Sequence, residues 1–168
     1  MLSKKVEEAL NQQIIYEAYA SSSYLSMASW CEKEGYRGST AFFYTQSEEE
    51  REHMLKLIHY INETGGHARV PASKEPPHVY KSLKDVFEIA LQQEIDVSKS
   101  INKMVELSFD AKDFATFNFL QWFVAEQHEE EHLFMAILDL LKIAGTDGRN
   151  LLIADNEIPK LRGEEVKS

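Results

Sequence analysis

Residues 48–54 read EEEREHM, and residues 117–132 read FNFLQWFVAEQHEEEH. Each stretch sets two ligand-type side chains three residues apart: Glu50 with His53, and Gln127 with Glu130. On a helix, side chains at i and i+3 share a face. A further carboxylate stands 33 residues before each pair, Glu17 before Glu50 and Glu94 before Gln127. Adding 77 to 17, 50 and 53 gives 94, 127 and 130, so the two halves repeat one spacing. Such a set places oxygen and imidazole ligands at one level of four helices, which suits a pair of hard or borderline metal ions.

The flanking sequence supports four helices. Ser3 is a helix cap, and Val6, Leu10, Ile14, Glu17, Tyr24 and Met27 follow near helical spacing. This predicts a first helix over about 3–33. Gly35 and Gly38 interrupt the pattern, and Ser39 or Thr40 is the expected cap of a second helix over 39–65, closed by Gly65 and Gly66. Residues 67–80 hold three prolines and little periodic apolar content, so they form a connection long enough to cross a bundle. Ser82 with Asp85 resembles a capping box opening a third helix over 82–109. A fourth is predicted over 113–143, ending at Gly145. A short fifth, over about 147–157 and capped by Asp147, precedes a frayed tail from Pro159 onward. The expected architecture is one all-α domain over residues 1–168.

Composition narrows the function. The chain has 168 residues and a formal net charge of −10, which argues against nucleic acid or an anionic membrane as partner and favours cations. A single cysteine, Cys31, cannot form an intrachain disulfide and fits a reducing compartment. The charged N-terminus, MLSKKVEEAL, lacks the apolar core of a signal peptide. A cytoplasmic protein is the expectation.

Glu17, Glu50, His53, Glu94 and Glu130 fall on stripes otherwise apolar. Several buried carboxylates together are costly unless cations neutralise them. A mixed oxygen set with one histidine suits iron or manganese better than structural zinc. Glu17, Glu50 and His53 are the expected ligands of one ion, and Glu94 and Glu130 of the second, with Glu50 bridging. Gln127 breaks the symmetry. Either it is a weak donor that leaves the second ion labile, or it is an outer group facing bound dioxygen or water. Tyr24, two turns beyond Glu17, has two equal readings: a core tyrosine, or a phenol that hydrogen-bonds a ligand carboxylate or supplies an electron. Glu126, Glu129 and Glu130 share one face, and Glu49 is the repeat mate of Glu126. These four either hold a third ion or form a solvated acidic stripe. Glu129 and His132 form an out-of-register pair that the repeat disfavours, and His59, His67, His78 and His128 read as surface residues.

These residues resemble the ferritin family, specifically the prokaryotic haem-free ferritins. The most specific parts are EEEREHM and FNFLQWFVAEQHEEEH, and the resemblance spans nearly the whole chain. It implies a ferritin-like four-helix bundle with a long crossover between helices 2 and 3 and a short C-terminal helix. It also implies a ferroxidase that oxidises Fe(II) with O2 or H2O2 and stores ferric oxyhydroxide inside a hollow homo-oligomeric shell of 24 subunits. By the same resemblance Glu17, Glu50, His53, Glu94, Gln127 and Glu130 match the ferroxidase centre, and Tyr24 the nearby family tyrosine. Glu49, Glu126 and Glu129, with Glu130, match a third iron site. The haem-binding relatives carry methionine where this chain has Arg51, and an in-register Glu-x-x-His in the fourth helix, so no haem is expected. The alternatives are a non-storage di-iron redox enzyme of peroxidase or oxygenase type, and a purely structural bundle.

Overall fold

The computed structural model describes residues 2–162. The described residues form five α-helices: α1 Lys4–Glu34, α2 Arg37–Glu63, α3 Leu83–Asp110, α4 Phe114–Ala144 and α5 Gly148–Leu161. No strand occurs among the described residues. Ser3 accepts the Val6 N–H at 3.3 Å, Ser82 that of Asp85 at 3.1 Å, and Asp147 those of Arg149 and Asn150 at 3.1 Å. Each side chain satisfies a donor that the first turn of a helix leaves open. Gly35, at φ +88°, closes α1 in the left-handed region that glycine enters without steric cost.

The apolar stripes meet in two separate clusters. One contains Val6, Leu10 and Ile14 of α1, Leu57 and Ile61 of α2, Val97, Ile101 and Met104 of α3, and Leu120 and Phe123 of α4. The other contains Tyr24 and Met27 of α1, Phe42 and Phe43 of α2, Val86 and Phe87 of α3, and Phe134 and Ile137 of α4. Residue numbers rise from the first cluster to the second along α1 and α4, and fall along α2 and α3. Consequently α2 and α3 run parallel, and the chain must travel the length of the bundle to join them.

The crossover does this against α1. Asn11 donates to the His67 carbonyl at 3.2 Å and accepts from the Arg69 N–H at 2.7 Å. Farther along α1, Ser22 meets Ser73 at 3.0 Å, Ser26 donates to the Pro77 carbonyl at 2.5 Å, and Trp30 packs edge-on against Tyr80 at 5.6 Å. These contacts let a segment without regular structure hold one course.

Two sequence expectations fail at α5. Neither Ser39 nor Thr40 caps α2, which begins earlier, at Arg37, with no side-chain cap from its own N-terminus. The cap comes instead from α5. The carboxylate of buried Asp155 accepts the Gly38 and Ser39 N–H groups, both at 2.8 Å, and the Ser39 hydroxyl at 2.6 Å. A negative side chain at a helix N-terminus also complements the helix dipole. The chain does not fray at Pro159, which lies inside α5. Proline lacks the N–H that would bond back to the Asp155 carbonyl. That carbonyl oxygen lies 1.8 Å from where a Cβ on Gly38 would sit, so only glycine fits there. Asp155→Ala is therefore expected to cost about 2–4 kcal/mol by leaving three buried donors unpaired. Asp155→Asn should recover part of it. Equal denaturation midpoints for Asp155→Ala and the parent would contradict this docking.

Candidate metal centre

A belt of polar side chains lies between the two apolar clusters. Glu17 stands between Ile14 and Ala20, Glu50 and His53 between Phe43 and Leu57, Glu94 between Ala90 and Val97, and Gln127 and Glu130 between Phe123 and Leu133. Each occupies a position on its helix that the apolar spacing assigns to the core. All six are buried, none exposing more than 6% of its surface.

One ligand atom from each of Glu17, Glu50 and His53 lies within 4.8 Å of the others. His53 Nδ1 is 3.2 Å from Glu50 Oε2. Glu17 Oε1 accepts from Gln13 at 2.8 Å, but Glu17 Oε2 and Glu50 Oε1 are buried with no hydrogen-bond partner among the described residues. Orphaned buried acceptors are costly, and a cation set between them and the imidazole would satisfy all three residues. Glu17 has its pKa raised well above the usual carboxylate range, first by burial and then by the Glu50 charge. Burial raises Glu50 likewise, reinforced by Glu94.

The other half is arranged differently. Glu94 accepts from the Tyr24 hydroxyl and, at 3.0 Å, from the Gln127 amide, which also donates to the Glu94 carbonyl at 3.2 Å. Glu130 accepts from Gln46 at 2.6 Å. Burial raises Glu94 to about 7 against the lowering effect of Tyr24 and Gln127, and raises Glu130 to about 8, with Glu94 adding to the rise. These carboxylates thus have neutral donors in place, whereas Glu17 and Glu50 each retain an oxygen with none. Gln127 turns its N–H toward Glu94, the orientation of an outer donor. Tyr24 is fully buried and stacks between Phe43 and Phe134 at 5.8 and 5.9 Å. Its hydroxyl reaches a candidate ligand, so its place in the aromatic cluster and its contact with the polar belt coexist.

Glu49, Glu126 and Glu129 line a cleft of about 560 Å³ with His53, Glu130, Trp122 and Arg162. Glu126 is half-buried and its pKa is raised, chiefly by burial, while Glu129 is exposed. Glu49 pairs with Arg162. The indole of Trp122 meets the His53 ring edge-on at 5.2 Å, with the Lys56 ammonium over it at 4.0 Å. His59 lies on the cleft lining, and His67, His78, His128 and His132 are exposed.

The residues that support the belt lie outside the 77-residue repeat. Gln13 donates to Glu17 and accepts from Ser100 at 2.7 Å. Gln46, fully buried, reaches Glu130, while Arg162 and Asp155 arrive from α5. Gln13 and Gln46 stand four residues before Glu17 and Glu50, a helical neighbour spacing that offered a signal. Nothing in the repeat points to α5.

Four long helices, a crossover and a buried carboxylate–histidine belt define a ferritin-like bundle with one candidate metal-holding group, Glu17, Glu50 and His53, among the described residues. The model of the ferritin-like domain matches residues 7–144. A non-heme ferritin of Campylobacter jejuni is 47% identical over 161 residues, covering 96% of both chains. A probable non-heme ferritin-like protein of Haemophilus influenzae is 45% identical, covering 96% of this chain and 98% of its own. An open-pore ferritin from the archaeon Archaeoglobus fulgidus superposes with a TM-score of 0.92 at 41% identity, covering 95% of this chain and 98% of that one. The chain belongs to the ferritin family, among its prokaryotic non-haem members. No helix among the described residues is long and apolar enough to cross a membrane.

Proposed function

We propose that this protein stores and detoxifies iron: each subunit oxidises Fe(II) at the buried belt and passes ferric product to a mineral inside a homo-oligomeric shell. The observation that carries this reading is the pair of partnerless buried oxygens, Glu17 Oε2 and Glu50 Oε1, beside His53. Their chemistry calls for a cation. The relatives' names supply its identity as iron.

In this reading one Fe(II) is held by Glu17, Glu50 and His53, and a second by Glu94 and Glu130, with Glu50 between them. Two Fe(II) ions give up one electron each. With two protons these reduce O2 to H2O2, or H2O2 to two waters. Carboxylates raised toward neutral pH release their protons as metal arrives, because a nearby cation favours the ionised form. Their negative charge then stabilises the ferric product more than the ferrous substrate. The hydrogen bonds already made to Glu94 and Glu130 compete with metal, so the second ion is the looser one and product leaves from that side.

The walls of the cleft beside the belt carry five carboxylates, Glu49, Glu52, Glu126, Glu129 and Glu130, against the two cations Lys56 and Arg162, an acidic excess that favours a cation. We assign a third, weaker ion to Glu49, Glu126, Glu129 and Glu130. Glu49→Ala with Glu129→Ala should alter the iron oxidised per O2 consumed and slow turnover, while leaving the first two Fe(II) bound per subunit. Unchanged stoichiometry and turnover in stopped-flow and oxygen-electrode measurements would remove the third ion. Storage is tested by size. The assembled particle should run at about twenty-four times 19.3 kDa. A monomer or dimer would overturn the storage reading and leave a non-storage redox enzyme or a purely structural bundle.

A further inference from the structure

The end of α5 reaches the acidic cleft through one side chain. The Arg162 guanidinium donates through Nη1 to Glu49 Oε2 and through Nη2 to Gln46 Oε1. It lies over the Phe42 ring, 5.0 Å from the centroid. Gln46 in turn donates through its amide nitrogen to Glu130 Oε2 at 2.6 Å. The order of this relay is fixed by chemistry. A guanidinium only donates, so the Gln46 carbonyl must face it, and the Gln46 N–H₂ is thereby aimed at Glu130. One arginine thus engages Glu49 directly and Glu130 through one intermediary, both residues of the proposed third-ion site. Its planar fork suits two acceptors at once in a way that a lysine ammonium does not.

Arg162 is held there by its helix. Asp155 clamps α5 to the N-terminus of α2, and Ala154 and Ile158 are buried in the neighbouring apolar cluster. The guanidinium is therefore delivered by a docked element.

We propose that Arg162 is a latch on the third-ion site: its guanidinium occupies Glu49 and sets Gln46 on Glu130 until a metal cation displaces it. The inference rests on the third-ion reading above and adds a competitor to it. A fixed positive charge and an incoming divalent cation cannot share Glu49 at contact distance without strong repulsion. Third-ion loading therefore requires Arg162 to swing out, which frees Gln46 to turn and relaxes Glu130. Arg162 acts as a positioning residue, because it reaches the belt only through Glu49 and Gln46. Its effect is to keep the third ion weak and transient, so that iron passes through the cleft without being trapped there.

The test is calorimetric titration of the assembled, metal-free protein with Co(II), a redox-inert probe under anaerobic conditions. The visible absorption of bound Co(II) reports the donors at each step. Arg162→Gln is expected to tighten the third Co(II) by about tenfold or more. Arg162→Lys should restore most of the weak binding, because it keeps the charge but not the fork. Arg162→Met, which also removes the charge, is the second variant if the glutamine variant assembles poorly, and it is expected to tighten the third Co(II) in the same way. An unchanged third-ion constant in Arg162→Gln, with Glu49→Gln and Glu129→Gln still abolishing that step, would overturn the latch and leave the third ion standing. Absence of a third Co(II) from the parent and every variant would overturn both. A third ion weakened in Arg162→Gln would show that Arg162 supports the site, contrary to the proposal.

Discussion

Glu50→Gln is expected to abolish rapid Fe(II) oxidation while leaving the metal-free protein as stable as the parent, or more so. The two effects share one cause. Glu50 contributes an oxygen with no partner to a buried cluster that already contains Glu17, Glu94 and Glu130. Exchanging that carboxylate for a neutral amide of the same size removes repulsion and desolvation cost from the metal-free fold. A gain of roughly 1–2 kcal/mol is expected, within the range seen when buried charges are replaced. The same exchange removes the residue placed between the two ions, and the initial oxidation rate should fall by at least about a hundredfold, more than the loss of an outer group causes. Stopped-flow oxidation and chemical denaturation on one preparation check both. A large loss of stability would mean that Glu50 holds the fold. Unchanged oxidation would mean that the chemistry lies elsewhere.

The metal-free protein should lose stability as pH rises from about 5 to about 8, and saturating divalent metal should cancel the loss. Glu94 and Glu130 are raised to about 7 and about 8, and Glu17 and Glu50 are raised well above their usual value. A carboxyl whose folded-state pKa exceeds its unfolded one is neutral in the fold while already ionised in the unfolded chain. Its contribution is therefore complete below the unfolded pKa and is lost as pH climbs through the folded one. For Glu94 alone the loss is on the order of 3 kcal/mol, about 10 °C in melting temperature for a chain of this size. Metal binds the ionised carboxylates and displaces their protons, so its stabilisation grows over the same window. Melting curves at several pH values, with and without Zn(II), check this. A metal-free protein that gains stability toward pH 8 would contradict the burial of uncompensated carboxylates.

What could be read from the chain follows from what is periodic. Glycine pairs and prolines punctuate it, and the 3.6-residue apolar stripes place Glu17, Glu50, His53, Glu94, Gln127 and Glu130 at one level. That spacing implies the bundle and its polar belt together, since a ligand can recur at 77 only if the helices holding it recur too. Contacts between residues far apart in sequence leave no such trace. Asp155 lies 117 residues from Gly38, and Arg162 lies 116 from Gln46. Ser39 has the residue type of a cap, but the first turn of α2 is capped by α5. Proline 159 has the residue type of a terminator, yet α5 continues through it because the freed Asp155 carbonyl meets a glycine. Both readings failed because docking between elements overrode a local preference. Likewise the acidic surplus of 126–132 gave no hint that Arg162, at the end of α5, enters the same cleft paired with Glu49.

In the proposed function, the belt between the two apolar clusters binds two iron ions. Diffraction from crystals soaked anaerobically with Fe(II), recorded on both sides of the iron absorption edge, tests it directly. Two anomalous peaks per subunit are expected, the stronger among Glu17, Glu50 and His53 and the weaker between Glu94 and Glu130. Iron confined to the cleft or the outer surface, with the belt empty and Glu17 Oε2 still without a partner, would contradict it.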